Sequence, residues 1–319
     1  MKGVVLDRST LGKGVDLSSL SGQLDEYREY ETTRPDQVDE RISGFDIVLC
    51  NKVVITREHM EAHGSLKMIA VLATGTNNAD LDAAKDLGVT VCNVSGYSTY
   101  SVAQHTMTCI LALSNNLLAY TSDVSKGKWC ESKIFCMIDY PIMELAGKNL
   151  VLVGYGNIGQ KVAQMAEAFG MNVLIASIPG YEPKDVQVER SPLDELLKSA
   201  DVLSVHCPLT TDTRHLIDEK AISLMKSSAF IINCSRGGIV DELAAAEALK
   251  DRRLGGAAFD VLTMEPPENV HPLIREEIPN LIVTPHCAWA GERARQTLIN
   301  EMALNLEAFK KKEPRCVVS

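Results

Sequence analysis

The sequence predicts an α/β fold with two domains, each built around a doubly wound parallel sheet. Short apolar runs recur along the chain, and segments with the apolar spacing of helices lie between them. This alternation predicts parallel sheets, because two parallel strands need a long crossover connection, which a helix usually supplies. At 319 residues the chain is too long for one core of ordinary size, which indicates two domains.

Residues 1–98 are predicted to form the first domain. Four apolar runs predict its strands, and a helix that Gly88 ends is expected before the last of them. The strands are expected at residues 4–7, 47–50, 68–72 and 89–92, and the helix at residues 81–87.

A single long helix is predicted for residues 98–125. Its apolar residues, among them Met107, Ile110 and Leu118, lie on more than one face. Such a helix is buried on several sides, so we expect it to pack against its own domain and against a partner subunit. The sequence therefore predicts a homodimer.

The most informative motif is G-Y-G-N-I-G, whose glycines are Gly154, Gly156 and Gly159. An apolar strand at residues 150–153 precedes it, and an amphipathic helix and a strand at residues 173–176 follow it. In such a unit the first glycine permits a tight turn, the second lets the backbone approach a pyrophosphate, and the third lets the helix pack against the strand. The helix N-terminus offers N–H groups to the anion. The motif therefore predicts a Rossmann dinucleotide-binding domain.

The remaining apolar runs complete the second sheet. Strands are predicted at residues 202–206, 229–233, 256–261 and 281–284, with helices at residues 193–199, 220–225 and 242–249. The dinucleotide-binding domain is therefore expected to span residues 99–286. The last helix, at residues 291–311, begins beyond the last strand and is free to return to the first domain. We expect that domain to be discontinuous, with residues 1–98 and 287–319.

Composition excludes several classes of protein. The chain has 32 Lys and Arg against 42 Asp and Glu, and the net charge of −10 argues against nucleic-acid binding through a basic surface. The nine cysteines lack C-x-x-C spacing, and several lie in apolar runs, so we expect reduced thiols and no metal site. No apolar run reaches the ~18 residues of a membrane helix, and the N-terminus lacks the pattern of a signal peptide. We expect a soluble cytoplasmic protein.

Three candidate catalytic residues follow the last three predicted strands. Arg236 follows the strand at residues 229–233, Glu265 follows the next strand, and His286 follows the last one. In open α/β sheets, ligands bind outside the carboxyl ends of the strands. The three side chains are therefore expected at one edge of the sheet.

These residue types suit the interconversion of a 2-keto acid and a 2-hydroxy acid beside a nicotinamide. Arg236 is always charged and can hold a carboxylate through two hydrogen bonds. His286 would give a proton to the carbonyl oxygen as hydride arrives, and would take it back in oxidation. Glu265 would hold His286 in its charged form, because a neighbouring carboxylate favours the imidazolium.

Five motifs resemble, in order, those of the D-isomer-specific 2-hydroxyacid dehydrogenases: G-Y-G-N-I-G, H-C-P-L-T-T-D-T, N-C-S-R-G-G-I-V-D, F-D-V-L-T-M-E-P-P and T-P-H-C-A-W-A. The likeness covers nearly the whole chain, including A-T-G-T-N-N-A-D-L-D-A-A-K-D-L-G-V in the first domain and S-V-A-Q-H-T in the long helix. It implies a flavodoxin-like first domain that binds substrate, and a catalytic set of Arg236, Glu265 and His286.

The resemblance also implies the residues that contact the ligands. In the first domain, the backbone of three residues would meet the substrate carboxylate: Gly75, Thr76 and Asn77. In the second domain, the pyrophosphate would contact Asn157 and Ile158. The adenosine would contact Cys207, Pro208 and Thr213. The nicotinamide would contact Thr106, Cys234, Ser235 and Asp260.

Within the family, Trp289 and the segment G-Y-S-T-Y-S-V-A-Q-H are similar to the glycerate dehydrogenase (hydroxypyruvate reductase) branch. The resemblance implies reduction of hydroxypyruvate, with glyoxylate as a further candidate substrate. Trp289 would either narrow the pocket for a small polar acid or serve as a packing residue. Two alternatives stay open. One is a dehydrogenase for another 2-keto acid, such as a D-lactate homologue or phosphoglycerate. The other is a dinucleotide-sensing corepressor, a role that members of this family also have.

The cofactor choice depends on the end of the strand at residues 173–176. NAD enzymes of this fold carry an acidic residue ~20 positions beyond the glycines, where it binds the ribose hydroxyls. Here Ser177 stands at that place, and Lys184 and Arg190 lie further along the loop rather than beside it. Ser177 neither repels nor holds a 2′-phosphate. We therefore expect the protein to use both NAD and NADP.

Overall fold

A computed structural model describes residues 1–182, 188–268, 271–274 and 278–319. The chain divides into two compact units, one of Met1–Ser98 with Ala290–Ser319 and the other of Thr99–Trp289. The second boundary lies a few residues beyond the expected one, which we placed between residues 286 and 287. The substrate-binding and dinucleotide-binding roles of the two units stay predictions at this point.

The chain alternates between strands and helices in the described residues. The strands are β1 (Lys2–Val5), β2 (Glu26–Glu29), β3 (Ile47–Cys50), β4 (Met68–Val71), β5 (Thr90–Cys92), β6 (Asn149–Val153), β7 (Asn172–Ile175), β8 (Val202–Val205), β9 (Phe230–Asn233), β10 (Gly256–Phe259) and β11 (Leu281–Val283). The helices are α1 (Ser18–Ser21), α2 (Val38–Ile42), α3 (Arg57–Ala62), α4 (Leu81–Leu87), α5 (Thr99–Ser114), α6 (Leu117–Ser125), α7 (Asn157–Ala168), α8 (Leu193–Leu197), α9 (Glu219–Ser223), α10 (Glu242–Lys250) and α11 (Glu292–Lys310).

The first unit contains a parallel sheet of five strands in the order β2-β1-β3-β4-β5. This is the strand order of flavodoxin-like folds. The sequence did not predict β2, because this edge strand is polar: it reads E-Y-R-E, and its last two residues are exposed. An edge strand of this kind needs no continuous apolar run, since it pairs with β1 alone.

The last helix belongs to the first unit, as the position of its sequence beyond the last strand suggested. Along α11, Leu298, Ile299, Met302 and Leu306 are fully buried in a core cluster that also contains Leu49 of β3. The chain therefore returns to the first unit, which is discontinuous in sequence.

The second unit contains a parallel sheet of six strands in the order β11-β10-β9-β8-β6-β7. The direction of winding reverses between β6 and β8, and such a reversal opens a crevice outside the carboxyl ends of the two strands. The G-Y-G-N-I-G turn follows β6 at this crevice. The predicted fold class, an α/β chain with two doubly wound parallel sheets, is confirmed.

Continuous apolar runs form these strands because helices cover both faces of the second sheet. Successive side chains of a strand point to opposite faces. In β6, Leu150 and Leu152 enter one core cluster, whereas Val151 and Val153 enter the other. Both faces therefore require apolar residues, which explains why apolar runs located the strands well.

The prediction of one uninterrupted helix at residues 98–125 is wrong. The structure has α5 and α6 instead, and Asn116 between them adopts a left-handed conformation with φ 47°. Asparagine tolerates this conformation better than most residues. The break leaves α5 packed on the second unit, where Val102, Ile110 and Leu113 are buried.

Five cysteines that lie in apolar runs are buried as expected: Cys50, Cys92, Cys109, Cys207 and Cys234. All nine cysteines are free thiols. In the part of the chain that the structure describes, no group of three His, Cys, Asp or Glu side chains could hold a metal ion. Within the same ranges, the helices lack the length and apolar character needed to cross a membrane.

Candidate active site and cofactor site

The glycine turn after β6 is packed so closely that two of its glycines cannot be replaced freely. Gly154 has φ 108°, and a Cβ there would lie 2.6 Å from the carbonyl of His206, at the end of β8. A Cβ on Gly159 would collide with the carbonyl oxygen of Gly154. The absence of a Cβ at these two glycines therefore permits the strand, the turn and the helix to pack closely.

Gly156 differs from the other two glycines, because a Cβ there would meet no atom within 4 Å. Its φ of −81° is accessible to any residue, so backbone strain does not explain the glycine. Gly156 is the N-cap of α7 and has no side chain that could cap the helix. Asn157 and Ile158 are the first two residues of the helix. The open space beside Gly156 and the N–H groups of the first turn fit the pyrophosphate of a dinucleotide.

A cavity of about 300 Å³ lies beyond the carboxyl end of β7. The described residues that line it are Gly154, Tyr155, Ala176, Ser177, Ile178, Tyr181, Val188 and Arg190. Arg190 therefore lines the same cavity as Ser177, and the expectation that it lies away from Ser177 is wrong. The cause is a bridge between Ala176 and Ser191, which brings the end of the loop back to β7. Lys184 lies outside the described residues.

The loop after β8 is held by its own hydroxyl groups. The Thr213 hydroxyl is buried, donates to the Pro208 carbonyl at 2.7 Å and accepts from the Thr210 N–H at 2.7 Å. The carbonyl of Cys207 accepts a hydrogen bond of 2.5 Å from the Ser235 hydroxyl, which connects this loop to the one after β9. Burial raises the pKa of the Cys207 thiol to about 11, so the thiol is neutral at physiological pH. Adenosine contacts from these residues stay a prediction.

Asp260 follows β10 and holds the turn at residues 284–288. Its carboxylate is almost fully buried, and it accepts hydrogen bonds from the Thr284 hydroxyl at 2.6 Å and from the N–H groups of Cys287 and Ala288 at 2.9 Å each. The Asp260 carbonyl also accepts from the His286 N–H at 2.8 Å. The structure gives the Asp260 carboxylate this positioning role, and the nicotinamide contact that the resemblance implies for Asp260 stays a prediction.

The structure brings His286 and Glu265 together. The Nδ1 atom of His286 lies 2.5 Å from Oε2 of Glu265, and Oε1 of Glu265 accepts a hydrogen bond of 2.9 Å from the Leu262 N–H. Both side chains are partly exposed. When His286 is protonated, Nδ1 donates to the carboxylate, and Nε2 carries a second proton on the other side of the ring.

Arg236 lies in the loop after β9, beside the loop that carries Glu265. The Asn233 amide donates to the Arg236 carbonyl at 2.9 Å, and a guanidinium nitrogen of Arg236 donates to the Ser235 carbonyl at 2.7 Å. A Cβ on Gly237 would collide with the backbone of Leu262, so the two loops are in close contact. Because β9, β10 and β11 are neighbouring parallel strands, all three catalytic candidates leave the same edge of the sheet.

A polar network that the sequence did not reveal connects α5 to this edge. Nε2 of His105 lies 3.1 Å from the Thr284 hydroxyl and 3.7 Å from Oδ1 of Asp260. A hydrogen bond with Cys109 raises the pKa of His105, and a hydrogen bond from Cys234 lowers the pKa of Cys109. The only signal in the sequence is the spacing of His105 and Cys109, which are four residues apart and so share one helix face.

The other predicted contacts lie in separate places. Thr106 is fully buried, and its hydroxyl donates to the Val102 carbonyl within α5 at 2.9 Å. Trp289 is partly buried and packs against the core cluster that contains Ala288. The three residues predicted to contact the substrate in the first unit, Gly75, Thr76 and Asn77, form the turn after β4. Ligand contacts of all these residues stay predictions.

Comparisons with known proteins show which proteins this chain is similar to. The family model described as "D-isomer specific 2-hydroxyacid dehydrogenase, NAD binding domain" matches residues 107–288. The chain is 42% identical to a glycerate dehydrogenase of Methylorubrum extorquens, over 99% of this chain and 98% of the relative. It is 36% identical to a hydroxypyruvate reductase of Blautia hydrogenotrophica, over the full length of both.

Two solved structures have the same fold over the full length of both chains. One is an acyclic imino acid reductase in complex with NADPH and D-Arg, which is 28% identical with a TM-score of 0.87. The other is the TT0316 protein of Thermus thermophilus, which is 30% identical with a TM-score of 0.87.

The different surroundings of Gly156 and Gly159 predict different effects of alanine. Gly159→Ala forces the helix away from the turn, and we expect a loss of about 1–3 kcal/mol in the free energy of unfolding. Gly156→Ala should cost less than about 1 kcal/mol as an N-cap change, yet weaken dinucleotide binding at least tenfold by filling the open space. Thermal unfolding of the ligand-free protein and calorimetric titration with NADPH and NADH measure the two effects. Unchanged binding in Gly156→Ala would mean that no ligand approaches this backbone.

Proposed function

The chain belongs to the D-isomer-specific 2-hydroxyacid dehydrogenases, and we propose that it reduces hydroxypyruvate and glyoxylate to the corresponding 2-hydroxy acids, the D-isomer where the product is chiral. The reaction is reversible and uses NADH or NADPH. The observation that carries the proposal is the His286–Glu265 pair, with Nδ1 2.5 Å from Oε2, at the sheet edge that Arg236 shares. This is the combination of proton donor and carboxylate-binding cation that a 2-keto acid requires.

His286 acts as the general acid during reduction. A dihydronicotinamide, when bound, would provide the hydride that the carbonyl carbon of the substrate accepts. His286 donates the Nε2 proton to the carbonyl oxygen, and its Nδ1 proton stays in the hydrogen bond to Glu265. In the oxidation direction, neutral His286 accepts the hydroxyl proton at Nε2, and Glu265 stabilises the imidazolium that forms.

Arg236 holds the carboxylate of the substrate. Its guanidinium offers two parallel N–H donors, the geometry that fits a carboxylate. The contact between Gly237 and the Leu262 backbone fixes the Arg236 loop against the loop of Glu265. The cation therefore has a defined position relative to the proton donor, which orients the keto carbon for the reaction.

The names of the relatives support a small substrate. The Methylorubrum extorquens relative is a glycerate dehydrogenase, and the Blautia hydrogenotrophica relative is a hydroxypyruvate reductase. The partly buried Trp289, three residues beyond His286, is a bulky side chain close in sequence to the proton donor. Both observations favour hydroxypyruvate and glyoxylate over bulkier 2-keto acids.

We also propose a homodimer in the cytoplasm. The segment at residues 117–142 exposes eight large apolar side chains. Exposure of this much apolar surface to water is unfavourable, and a second copy of the chain would cover it. The eight residues are Leu117, Leu118, Val124, Trp129, Ile134, Phe135, Ile138 and Ile142. The nine free thiols suit a reducing compartment.

A panel of four substrates tests the proposed activity. We expect turnover of ~1–10³ per second with hydroxypyruvate, slower turnover with glyoxylate, and little with pyruvate or 3-phosphohydroxypyruvate. Each is measured with NADH and with NADPH, and we expect the two cofactors to differ by less than about a hundredfold, ~2.7 kcal/mol. No turnover with any of the four would discard the proposed substrates and favour a bulkier 2-keto acid or a dinucleotide-sensing role.

Replacing His286 separates chemistry from binding. In His286→Asn the proton donor is lost, so we expect kcat for hydroxypyruvate to fall by ~10²–10⁴ while the Kd for NADPH changes less than about threefold. The matched control is His215→Asn, which replaces an exposed histidine of the second unit and should keep full activity. Full activity in His286→Asn would contradict the mechanism.

Two acidic substitutions in the apolar segment at residues 117–142 test whether this segment forms the dimer interface. We expect the wild type to have the mass of two chains in light scattering, and the double variant Phe135→Glu with Ile138→Glu to have the mass of one. Leu243→Glu, at an exposed apolar residue of α10, is the control and should leave the dimer intact. A wild type with the mass of a single chain would refute the homodimer.

A further inference from the structure

We propose that Arg190, together with Ser177, binds the 2′-phosphate of NADP(H) and gives the protein a preference for this cofactor over NAD(H). The inference rests on the proposed function, since it requires a dinucleotide at the carboxyl end of β7. It assigns a specificity-determining role to a residue that lies thirty-one positions beyond Gly159 in the sequence.

The backbone places Arg190 at the end of β7. The Ser177 N–H donates to the Ser191 carbonyl at 2.9 Å, and the Ser191 N–H donates to the Ile175 carbonyl at 3.1 Å. These two hydrogen bonds extend the sheet by one bridge, between Ala176 and Ser191. Arg190 immediately precedes this bridge, so its Cα position is fixed by the sheet rather than by the loop.

The side chain of Arg190 is held over the cavity. One guanidinium nitrogen donates to the Val188 carbonyl at 2.9 Å, and the side chain is half-buried. Arg190 and Ser177 line the same cavity of about 300 Å³, which also contains Gly154 of the glycine turn. Part of the entropy that a flexible arginine loses on binding an anion has therefore been lost already in the free protein.

The chemistry of the cavity favours a phosphate over a pair of ribose hydroxyls. A guanidinium matches the geometry of phosphate oxygens and keeps its charge at every physiological pH, and the Ser177 hydroxyl adds a neutral donor. Among the described residues that line the cavity, none carries a carboxylate. A carboxylate is the group that would select the 2′-hydroxyl of NAD and repel the phosphate. Tyr155, Ile178 and Tyr181 supply apolar surface for the adenine.

Among the described residues, Glu182 and Glu189 carry negative charges within the same loop, and Asp212 carries one beside it. The carboxylate of Asp212 is packed against Gly180, where an added Cβ would lie 2.9 Å from its carboxyl carbon. Asp212 does not line the cavity, but its charge opposes a phosphate nearby. We therefore expect a moderate preference for NADPH, about tenfold, rather than exclusion of NADH.

The test measures dinucleotide affinity directly and does not depend on turnover. Calorimetric Kd values for NADPH and NADH are compared in the full-length wild type, in Arg190→Gln and in Arg190→Lys. The wild type should bind NADPH about tenfold more tightly. Arg190→Gln should weaken NADPH binding by about tenfold to a hundredfold, ~1.4–2.7 kcal/mol, and leave NADH binding within about twofold. The Kd of Arg190→Lys for NADPH should lie between those of the wild type and Arg190→Gln, because lysine keeps the charge but loses the planar donor pair.

Two further variants make the result specific. Arg253→Gln removes an arginine of the second unit that does not line the cavity, and it should change neither Kd. Ser177→Asp places a carboxylate at the ribose and should weaken NADPH binding while NADH binding is kept or strengthened. This variant tests the subsite even if Arg190→Gln is too unstable to purify.

The outcomes distinguish this inference from the proposed function. If the wild type binds both dinucleotides but Arg190→Gln weakens both equally or neither, Arg190 has only a structural role and the inference is overturned. If Ser177→Asp leaves NADPH binding unchanged, the phosphate does not lie here. If the wild type binds neither dinucleotide, both the inference and the proposed oxidoreductase function fail.

Discussion

The hydrogen bonds to the buried carboxylate of Asp260 are the interactions on which the geometry of the candidate active site depends. A carboxylate that leaves water loses several kcal/mol of hydration, and it is tolerated only where hydrogen bonds replace that hydration. Here the donors come from Thr284, Cys287 and Ala288, all in the turn after β11. Because these donors lie in one turn, the turn must fold around the carboxylate.

His286 lies inside that turn, and its position follows from this constraint. Its N–H donates to the Asp260 carbonyl, and its φ of 50° is an uncommon conformation for a residue other than glycine. The hydrogen bonds to the Asp260 carboxylate thus hold the backbone of this turn in place. Glu265 approaches from the loop after β10, the same strand that Asp260 follows, so the end of one strand both positions His286, the proposed proton donor, and supplies its carboxylate partner.

The fold and the catalytic candidates could be predicted from the sequence because both leave local signals. A strand buried on two faces requires a continuous apolar run, and the ends of parallel strands meet at one edge, so Arg236, Glu265 and His286 could be grouped without a structure. The polar edge strand β2, the left-handed Asn116 and the return of Arg190 to β7 leave no such signal. The strand β2 and the return of Arg190 depend on hydrogen bonds between residues that are distant in sequence. The break at Asn116 depends on the backbone conformation of a single residue.

The proposed cofactor-selecting and proton-donating residues lie at opposite ends of the second sheet. Neighbouring strands are ~4.8 Å apart, and β7 and β11 are the opposite edges of six strands, so the Arg190 end and the His286 end are separated by roughly 24 Å. In the proposed function one bound dinucleotide would contact both ends, so the two sites share a ligand and changes there need not act additively on its binding free energy. The proposed cofactor choice at β7 and the proposed proton transfer at β11 nevertheless depend on different side chains. The hydrogen bonds to Asp260 involve none of the described residues that line the Arg190 cavity, so an exchange of the group that meets the ribose would leave the Asp260 turn intact.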